Sequence, residues 1–325
     1  MDKHPILIPN GFQIYTKPVE AVVNCTLTHV ENDHHGAAFF GGSGLGKTSA
    51  QQYLTDNAAR WLVDDKRIPM GVASRLIMPS GMRRSEGAFY TSMTNALRIT
   101  SVDRLSPNNG KRRLINYIKT RCGQAEQRLM VMFIDNAQRI TRAEYEYLAD
   151  VDDQISDAQL RLFIGFFRQS DSSGVDVEDD WSDYPTHMVR RWFMGSHPYP
   201  PLTGLAEVRH ALDRFDRKAT WPSPDMPYSR YFAQRAYDEG WRLANEAPLL
   251  MEVMTEIRHA AKLSPTEAWP MATFTGVVRY LLTHCAATTS NFQQFTRDQI
   301  ADAFSISGYL RLEFVRARLV VPEAA

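Results

Sequence analysis

The chain is 325 residues long, 44% hydrophobic and 23% charged, the proportions of a globular protein with ample apolar material for a core. Lys plus Arg and Asp plus Glu both number 37, so no global charge marks a nucleic-acid binder, and any such contact must come from a local patch. Cys25, Cys122 and Cys285 are far apart, with no CxxC or Cys/His cluster, which supports neither a disulfide framework nor a zinc site.

The opening MDKHPILIPNGF is too short in apolar length, and too early in Pro and Gly, for a signal peptide. No apolar run approaches a membrane span, and the expectation is a cytoplasmic protein without membrane contact. After Lys17-Pro18 a helix is predicted from Val19 to Val30. His34-His35 read as loop residues, because adjacent histidines do not converge on a metal without further ligands. Ala37-Ala38-Phe39-Phe40 reads as a short buried strand feeding a glycine-rich turn. Beyond it Ala50, Tyr53, Leu54, Ala58, Trp61 and Leu62 repeat at helical spacing. Val72 to Met78 is a second strand, followed by the turn Pro79-Ser80-Gly81 and by helices from Ser85 to Leu97 and from Lys111 to Arg121.

The run Leu129 to Ile134 is continuously apolar and ends in Asp135, the pattern of a central parallel strand covered on both faces. A helix from Ala143 to Val151 leads to a further strand, Leu160 to Phe166. This alternation implies an α/β fold with a parallel sheet. Residues 169–183 are acidic and rich in Ser and Gly, a solvated loop. After Pro198-Tyr199-Pro200-Pro201 the strand signal disappears, and helices are predicted at Leu205–Phe215, Arg230–Asn245, Leu249–Ala261, Gly276–Thr288 and Arg297–Phe304. The predicted organisation is a helical lead-in over 1–35, an α/β core over 36–201 and an all-helical lid and possible partner-binding region over 202–325.

Gly41-Gly42-Ser43-Gly44-Leu45-Gly46-Lys47-Thr48 matches GxxxxGK[ST] without exception, with a strand before it and a helix after it. Glycines let successive backbone N–H groups turn inward around phosphate oxygens. Lys47 is expected at the β- and γ-phosphates and the Thr48 hydroxyl on Mg²⁺; Ser49 continues into the helix, whose N-terminus adds partial positive charge. The expected ligands are therefore ATP and Mg²⁺. Asp135 fits the Walker B aspartate that holds Mg²⁺ through water. The next residue is Asn136 where many such ATPases carry a glutamate. An amide can orient water but cannot accept its proton, so slow hydrolysis is expected. Nothing in the spacing of Glu144 or Glu146 marks either as a substitute.

With both motifs placed, the chain resembles the AAA+ ATPases of transposons: the TniB and TnsC regulators, with the MuB and IstB proteins more distantly. The resemblance rests on IYTKPVEAVVN before GGSGLGKT, on RLIMPSGMRRSEGAFYTSMTNAL, on FIDNAQRIT, on LRLFIGFF, and on MVRRWF with TFTGVVRYLLTHCAATTSNFQQFTRDQIADAF. It implies an AAA+ P-loop core followed by a helical lid. It also implies a sensor 1 residue at the end of strand 160–166. Gly165 is followed there by Phe166, which leaves that role unassigned, with Gln169 as a candidate. Arg190 or Arg191 resembles the arginine finger that reaches a neighbouring subunit's nucleotide, and Arg279 resembles the sensor 2 arginine. Arg83, Arg84, Lys111, Arg112, Arg113 and Lys119 fall in regions that face a central DNA channel in the family. The implied function is an ATP-dependent regulator of transposition, a homo-oligomeric ring or filament on double-stranded DNA, working with a transposase and a target selector of the TniQ type. Two other readings share the core motifs: a helicase loader or initiator, disfavoured by the lack of a winged-helix signature, and a STAND-type signalling NTPase, disfavoured by the lack of a sensor repeat array.

Overall fold

A computed structural model of the chain describes residues 3–80, 85–99, 107–123, 128–170 and 184–320. Five strands form one parallel sheet in the order β2-β3-β4-β1-β5: β1 (Gly36–Gly41), β2 (Gly71–Ile77), β3 (Leu129–Asp135), β4 (Arg161–Gln169) and β5 (Ser196–Pro198). Every residue of β3 is buried, which is why that stretch reads as an unbroken apolar run: helices cover both faces of a parallel sheet. One face packs α4 (Glu86–Ala96), α5 (Pro107–Cys122), α6 (Arg142–Ser156) and α7 (Thr186–Trp192) around Phe89, Leu114, Leu148 and Trp192. The other packs α1 (Lys17–Glu31), α2 (Lys47–Asp56) and α3 (Ala58–Trp61) around Val22, Leu54 and Trp61.

Strand register decides what meets at the sheet's carboxyl edge. Gly41 at the end of β1 pairs with Gln169 at the end of β4, and Asp135 ends β3 opposite Ile77. In open parallel sheets, ligands sit outside the carboxyl ends of the strands, and that edge here carries Gly41, Asp135 and Gln169.

Beyond Pro201 a second core forms among α8 (Gly204–Arg217), α9 (Tyr228–Phe232), α10 (Gln234–Asp238), α11 (Ala247–Ala260), α12 (Met271–Tyr280), α13 (Arg297–Ile306) and α14 (Tyr309–Val320). It is helical apart from a two-residue antiparallel ribbon that pairs β6 (Leu202–Thr203) with β7 (Ala268–Trp269). Ile6 and Ile14 join this core, whereas Val19 and Val22 join the core under the sheet, so the N-terminal segment crosses between the two. A parallel sheet with a glycine loop after β1, followed by a largely helical region, is the α/β fold class that the sequence predicts.

Several elements differ from their expected form. The strand expected to end at Phe166 runs three residues further, to Gln169. The edge strand β5 and the β6/β7 ribbon carry no sequence signal, being two or three residues long. The expected helix Arg230–Asn245 is broken into α9, α10 and a 3₁₀ turn at Leu243–Glu246. Gly240, at φ +108°, ends α10 in a conformation other residues rarely hold. The buried Asp216 carboxylate then accepts the backbone N–H groups of Leu243 (3.0 Å) and Ala244 (2.9 Å), which opens the next segment. The expected helix Gly276–Thr288 starts five residues early, at Met271, and passes into a π turn over Leu281–Ala286. Arg190 and Arg191 lie on α7.

His34 and His35 are indeed outside regular elements. His29 of α1 has one ring nitrogen 2.6 Å from His34 and the other 2.7 Å from His197 on β5. The three rings form a chain that ties α1 to the sheet edge, and burial pushes His29 down to about 4, so its ring is neutral. Among the described residues no group of three or more His, Cys, Asp and Glu can hold a metal, the three cysteines are unpaired, and no helix is long and apolar enough to cross a membrane.

The last helix is anchored by an ion pair inside the lid. Arg258 of α11 donates to Glu313 and to the Tyr309 hydroxyl (3.0 Å), and both charged side chains are more than nine-tenths buried. Removing one partner of such a pair leaves a charge without compensation and costs about 3–5 kcal/mol. Glu313→Ala is expected to lower the unfolding free energy by that amount, whereas Arg258→Met with Glu313→Leu loses much less; equilibrium urea unfolding of the three chains checks this.

Candidate nucleotide-binding site

The loop Gly41–Thr48 runs from the end of β1 into the first turn of α2. Two of its glycines are required by conformation and by crowding. Gly44 (φ +78°) and Gly46 (φ +99°) lie in the left-handed region, and a Cβ at Gly46 would stand 2.9 Å from Met271 Cβ. The loop and the first residue of the lid helix α12 therefore touch. Next to Met271, the Ala272 N–H donates to the Gly44 carbonyl at 2.9 Å.

Lys47 lies against the loop, its Nζ donating to the carbonyls of Gly41 (2.6 Å) and Gly42 (2.7 Å). Burial pushes its ammonium down to about 8, with the nearby Asp135 carboxylate opposing. The Thr48 hydroxyl donates to Asp135 Oδ2 at 2.6 Å. Two hard oxygens side by side suit Mg²⁺, which takes one or two protein ligands and completes its shell with water and phosphate oxygens. The residues present fit that ion.

Asn136 adopts φ +57°, ψ +38°, a left-handed conformation that asparagine tolerates better than most residues. Its backbone N–H donates to Asp135 Oδ1 at 3.0 Å. Each Asp135 oxygen thus has its own donor. Glu144 and Glu146 are elsewhere. Glu144 is buried in a capping box, accepting from the Thr141 N–H (2.7 Å) and hydroxyl (2.9 Å), and Glu146 faces His187 at 3.1 Å. Neither lines the cleft.

The cleft has a volume of about 290 Å³. Its polar end is Lys47, Thr48, Asp135, Asn136 and Gln169; its apolar end is Phe12, Ile14, Val19 and Met271. Gln169 reaches the cleft because β4 is longer than expected, which puts it at the strand end where a sensor 1 residue is sought. The apolar wall is what sequence reasoning missed. Phe12, Ile14 and Val19 precede the sheet, and Met271 lies over two hundred residues after the loop, so no local pattern joins them.

The remaining candidates lie outside this cleft. Arg279, two turns after Ala272 on α12, is exposed and lines an adjoining hollow with Ser49 and Thr275. Arg191 is engaged within the chain, donating to the Ala149 carbonyl (3.0 Å) and to Asp153 (2.6 Å). Arg190 is exposed and has no ion pair among the described residues. Lys111 pairs with Asp150 at 2.9 Å, Arg112 is exposed, and Arg113 and Lys119 are half-buried on α5. Arg83 and Arg84 lie outside the described residues.

No protein-family model and no curated protein matches the chain. Among solved structures it is similar to the Aeropyrum pernix ORC2 protein in ADPNP–ADP complexes, at 13% identity and TM-score 0.46, over 89% of this chain and 66% of that one. It is also similar to CDC6P from Pyrobaculum aerophilum, at 12% identity and TM-score 0.44, over 96% and 85%. Drosophila ORC bound to DNA is matched at 13% identity and TM-score 0.44, over 94% and 70%. The chain spans just under two thirds of the ORC2 protein's length.

The lowered Lys47 has a consequence for pH. Only the protonated ammonium attracts a phosphate, so triphosphate affinity is expected to hold below pH about 8 and to fall above it, by up to roughly tenfold per pH unit. Titration of a fluorescent triphosphate between pH 7 and pH 9.5 checks this, and Lys47→Arg, which stays charged, should flatten the profile over the same window.

Proposed function

We propose that the chain is an ATP- and Mg²⁺-dependent AAA+ regulator of DNA transposition, assembling on duplex DNA and serving as a platform for a transposase and a TniQ-type target selector. The nucleotide part rests on one observation: the Thr48 hydroxyl, the Asp135 carboxylate and the Lys47 ammonium meet at the carboxyl edge of the sheet, beneath a helix of the lid. Bound ATP would place its phosphates at the loop and α2 N-terminus, and Mg²⁺ would supply charge neutralisation between them. Phe12, Ile14, Val19 and Met271 would take the base. Arg279, at the adjoining hollow, is assigned the sensor 2 role, and Gln169 sensor 1.

The assembly part rests on the arginines of α7. Arg191 is occupied by α6, so Arg190 is the one available to a neighbouring subunit's γ-phosphate. On α5, Arg112 is the exposed cation, with Lys119 two turns on; such contacts to phosphate are sequence-independent and salt-sensitive. The domain limits 1–35, 36–201 and 202–325 belong to the same reading, with the provision that residues before α1 serve the lid and the nucleotide cleft together. A replication initiator or helicase loader would use the same cleft; a transposase gene beside this one favours the first reading, and its absence favours the second.

Electron microscopy with an ATP analogue and duplex DNA is expected to show rings or filaments in the wild type. Arg190→Ala should abolish them while leaving nucleotide affinity within about twofold, because its reach is to the neighbour. Monomers in the wild type under every condition refute the assembly, and equal assembly by Arg190→Ala refutes the finger assignment. Arg112→Glu should weaken DNA binding and reduce its salt slope by about one.

Hydrolysis is the second test. An amide at 136 is no base, so Asn136→Glu is expected to raise turnover by 10²-fold or more, on the order of a general base's contribution. Fast turnover in the wild type, or none gained in the variant despite a native melting temperature, would exclude the slow-switch reading.

A further inference from the structure

A second cavity, of about 390 Å³, opens at the seam between the sheet domain and the lid. Arg60 of α3 stands on one side, and Arg214 of α8 with Lys218 just after it on the other; Tyr15, Tyr53 and Asn57 complete the wall. Three cations line it and no carboxylate does. Like charges gathered around one hollow repel each other unless something anionic lies between them.

The nearby acids are already engaged. Glu20 pairs with Lys17 at 2.5 Å, and Asp213 pairs with Arg217 at 2.7 Å. Arg214 is left with an incomplete shell. Its Nε is buried with no hydrogen-bond partner, and one terminal nitrogen donates to the His210 ring at 2.7 Å. Burial and Arg214 itself hold His210 below its ordinary value, so the ring accepts as a neutral group and supplies no counter-charge. A guanidinium bonded on one side to a neutral ring, beside two further cations and no carboxylate, suits an anion in the hollow.

The Tyr15 and Tyr53 rings lie 5.5 Å apart at 45° and give the hollow an aromatic wall. Its volume falls in the range of small-molecule sites, and its walls come from both domains, which makes a concavity and not a track along which a strand could run. Gln13 and Ile14 line this cavity and the nucleotide cleft alike.

We propose that this cavity is a second anion site, taking the phosphates of a small polyphosphate ligand, a nucleoside di- or triphosphate being the kind that also uses the aromatic wall. The ligand bridges Arg60 on the core to Arg214 and Lys218 on the lid, fixing the seam, and its occupancy reaches the nucleotide cleft through Gln13 and Ile14. The inference goes beyond the reading of the glycine loop and does not depend on it.

Inorganic tripolyphosphate is the probe, titrated calorimetrically into the full chain carrying Lys47→Ala, which weakens the loop site. Binding there should be weakened on the order of tenfold for each cation then removed, in Lys218→Ala, Arg60→Ala and Arg214→Ala, since each loses a charge-assisted hydrogen bond. Arg60 and Lys218 are exposed, so their variants keep the test sound where Arg214→Ala perturbs folding. Equal tripolyphosphate affinity in all four chains overturns the site, as does no binding in Lys47→Ala alone. If a duplex oligonucleotide binds with the same sensitivity to Lys218→Ala while tripolyphosphate does not bind, the small-ligand assignment is overturned and the hollow is a nucleic-acid contact. Loss of ATP binding in the wild type would sink the loop reading and leave this result standing.

Discussion

The constraint on which the site depends is the contact between the glycine loop and the lid. Gly44 accepts the Ala272 N–H, and Gly46 leaves no room for a side chain under Met271. A Cβ at Gly44 would also stand 3.2 Å from Leu312 on the last helix. The same two glycines that turn backbone N–H groups toward phosphate therefore form the floor on which two lid helices rest. A change in the loop's shape on filling with phosphate has no slack to absorb it, because packed interfaces are bistable and not continuously deformable. The loop and the helical region thus share one packed contact.

The N-terminal segment lies across the same two bodies. Ile6 and Ile14 belong to the lid core, Val19 and Val22 to the core beneath the sheet, and between them Phe12 to Thr16 forms part of the cleft wall. A segment tied at both ends to different bodies registers their relative position. The sequence shows only a Lys-Pro helix start there. Its role as wall and strap depends on contacts from residues far along the chain.

Much of the α/β core was legible because its signals are local. β3 is an uninterrupted apolar run since it is covered on both faces, and the loop is a fixed spacing of glycines before a lysine and a hydroxyl. Legibility ended where a distant group decides the backbone. Asp216 satisfies the N–H groups of Leu243 and Ala244 and so divides a stretch whose composition reads as one helix. β5 has three residues and is held by pairing to β1, with no periodicity to reveal it. The predicted strand ends at Phe166, one residue past Gly165. That glycine makes room for the Phe133 ring, 2.8 Å from where its Cβ would stand, and the strand continues to Gln169. The apolar half of the cleft was invisible for the same reason: Val19 and Met271 line one wall only once residues far apart in the chain are folded together.

Asn136 joins the backbone argument to the chemical one. Its left-handed conformation turns its own N–H back onto Asp135 Oδ1, while Thr48 takes Oδ2. The carboxylate is therefore held from two sides before any cation arrives, and its orientation depends on the conformation at 136. A side chain other than Gly, Asn or Asp costs about 1–2 kcal/mol in that region, so the asparagine fits the turn as well as the chemistry. Residue 136 therefore answers first to the turn that aims Asp135, and the amide it places beside that carboxylate can donate and accept hydrogen bonds but cannot take up a proton.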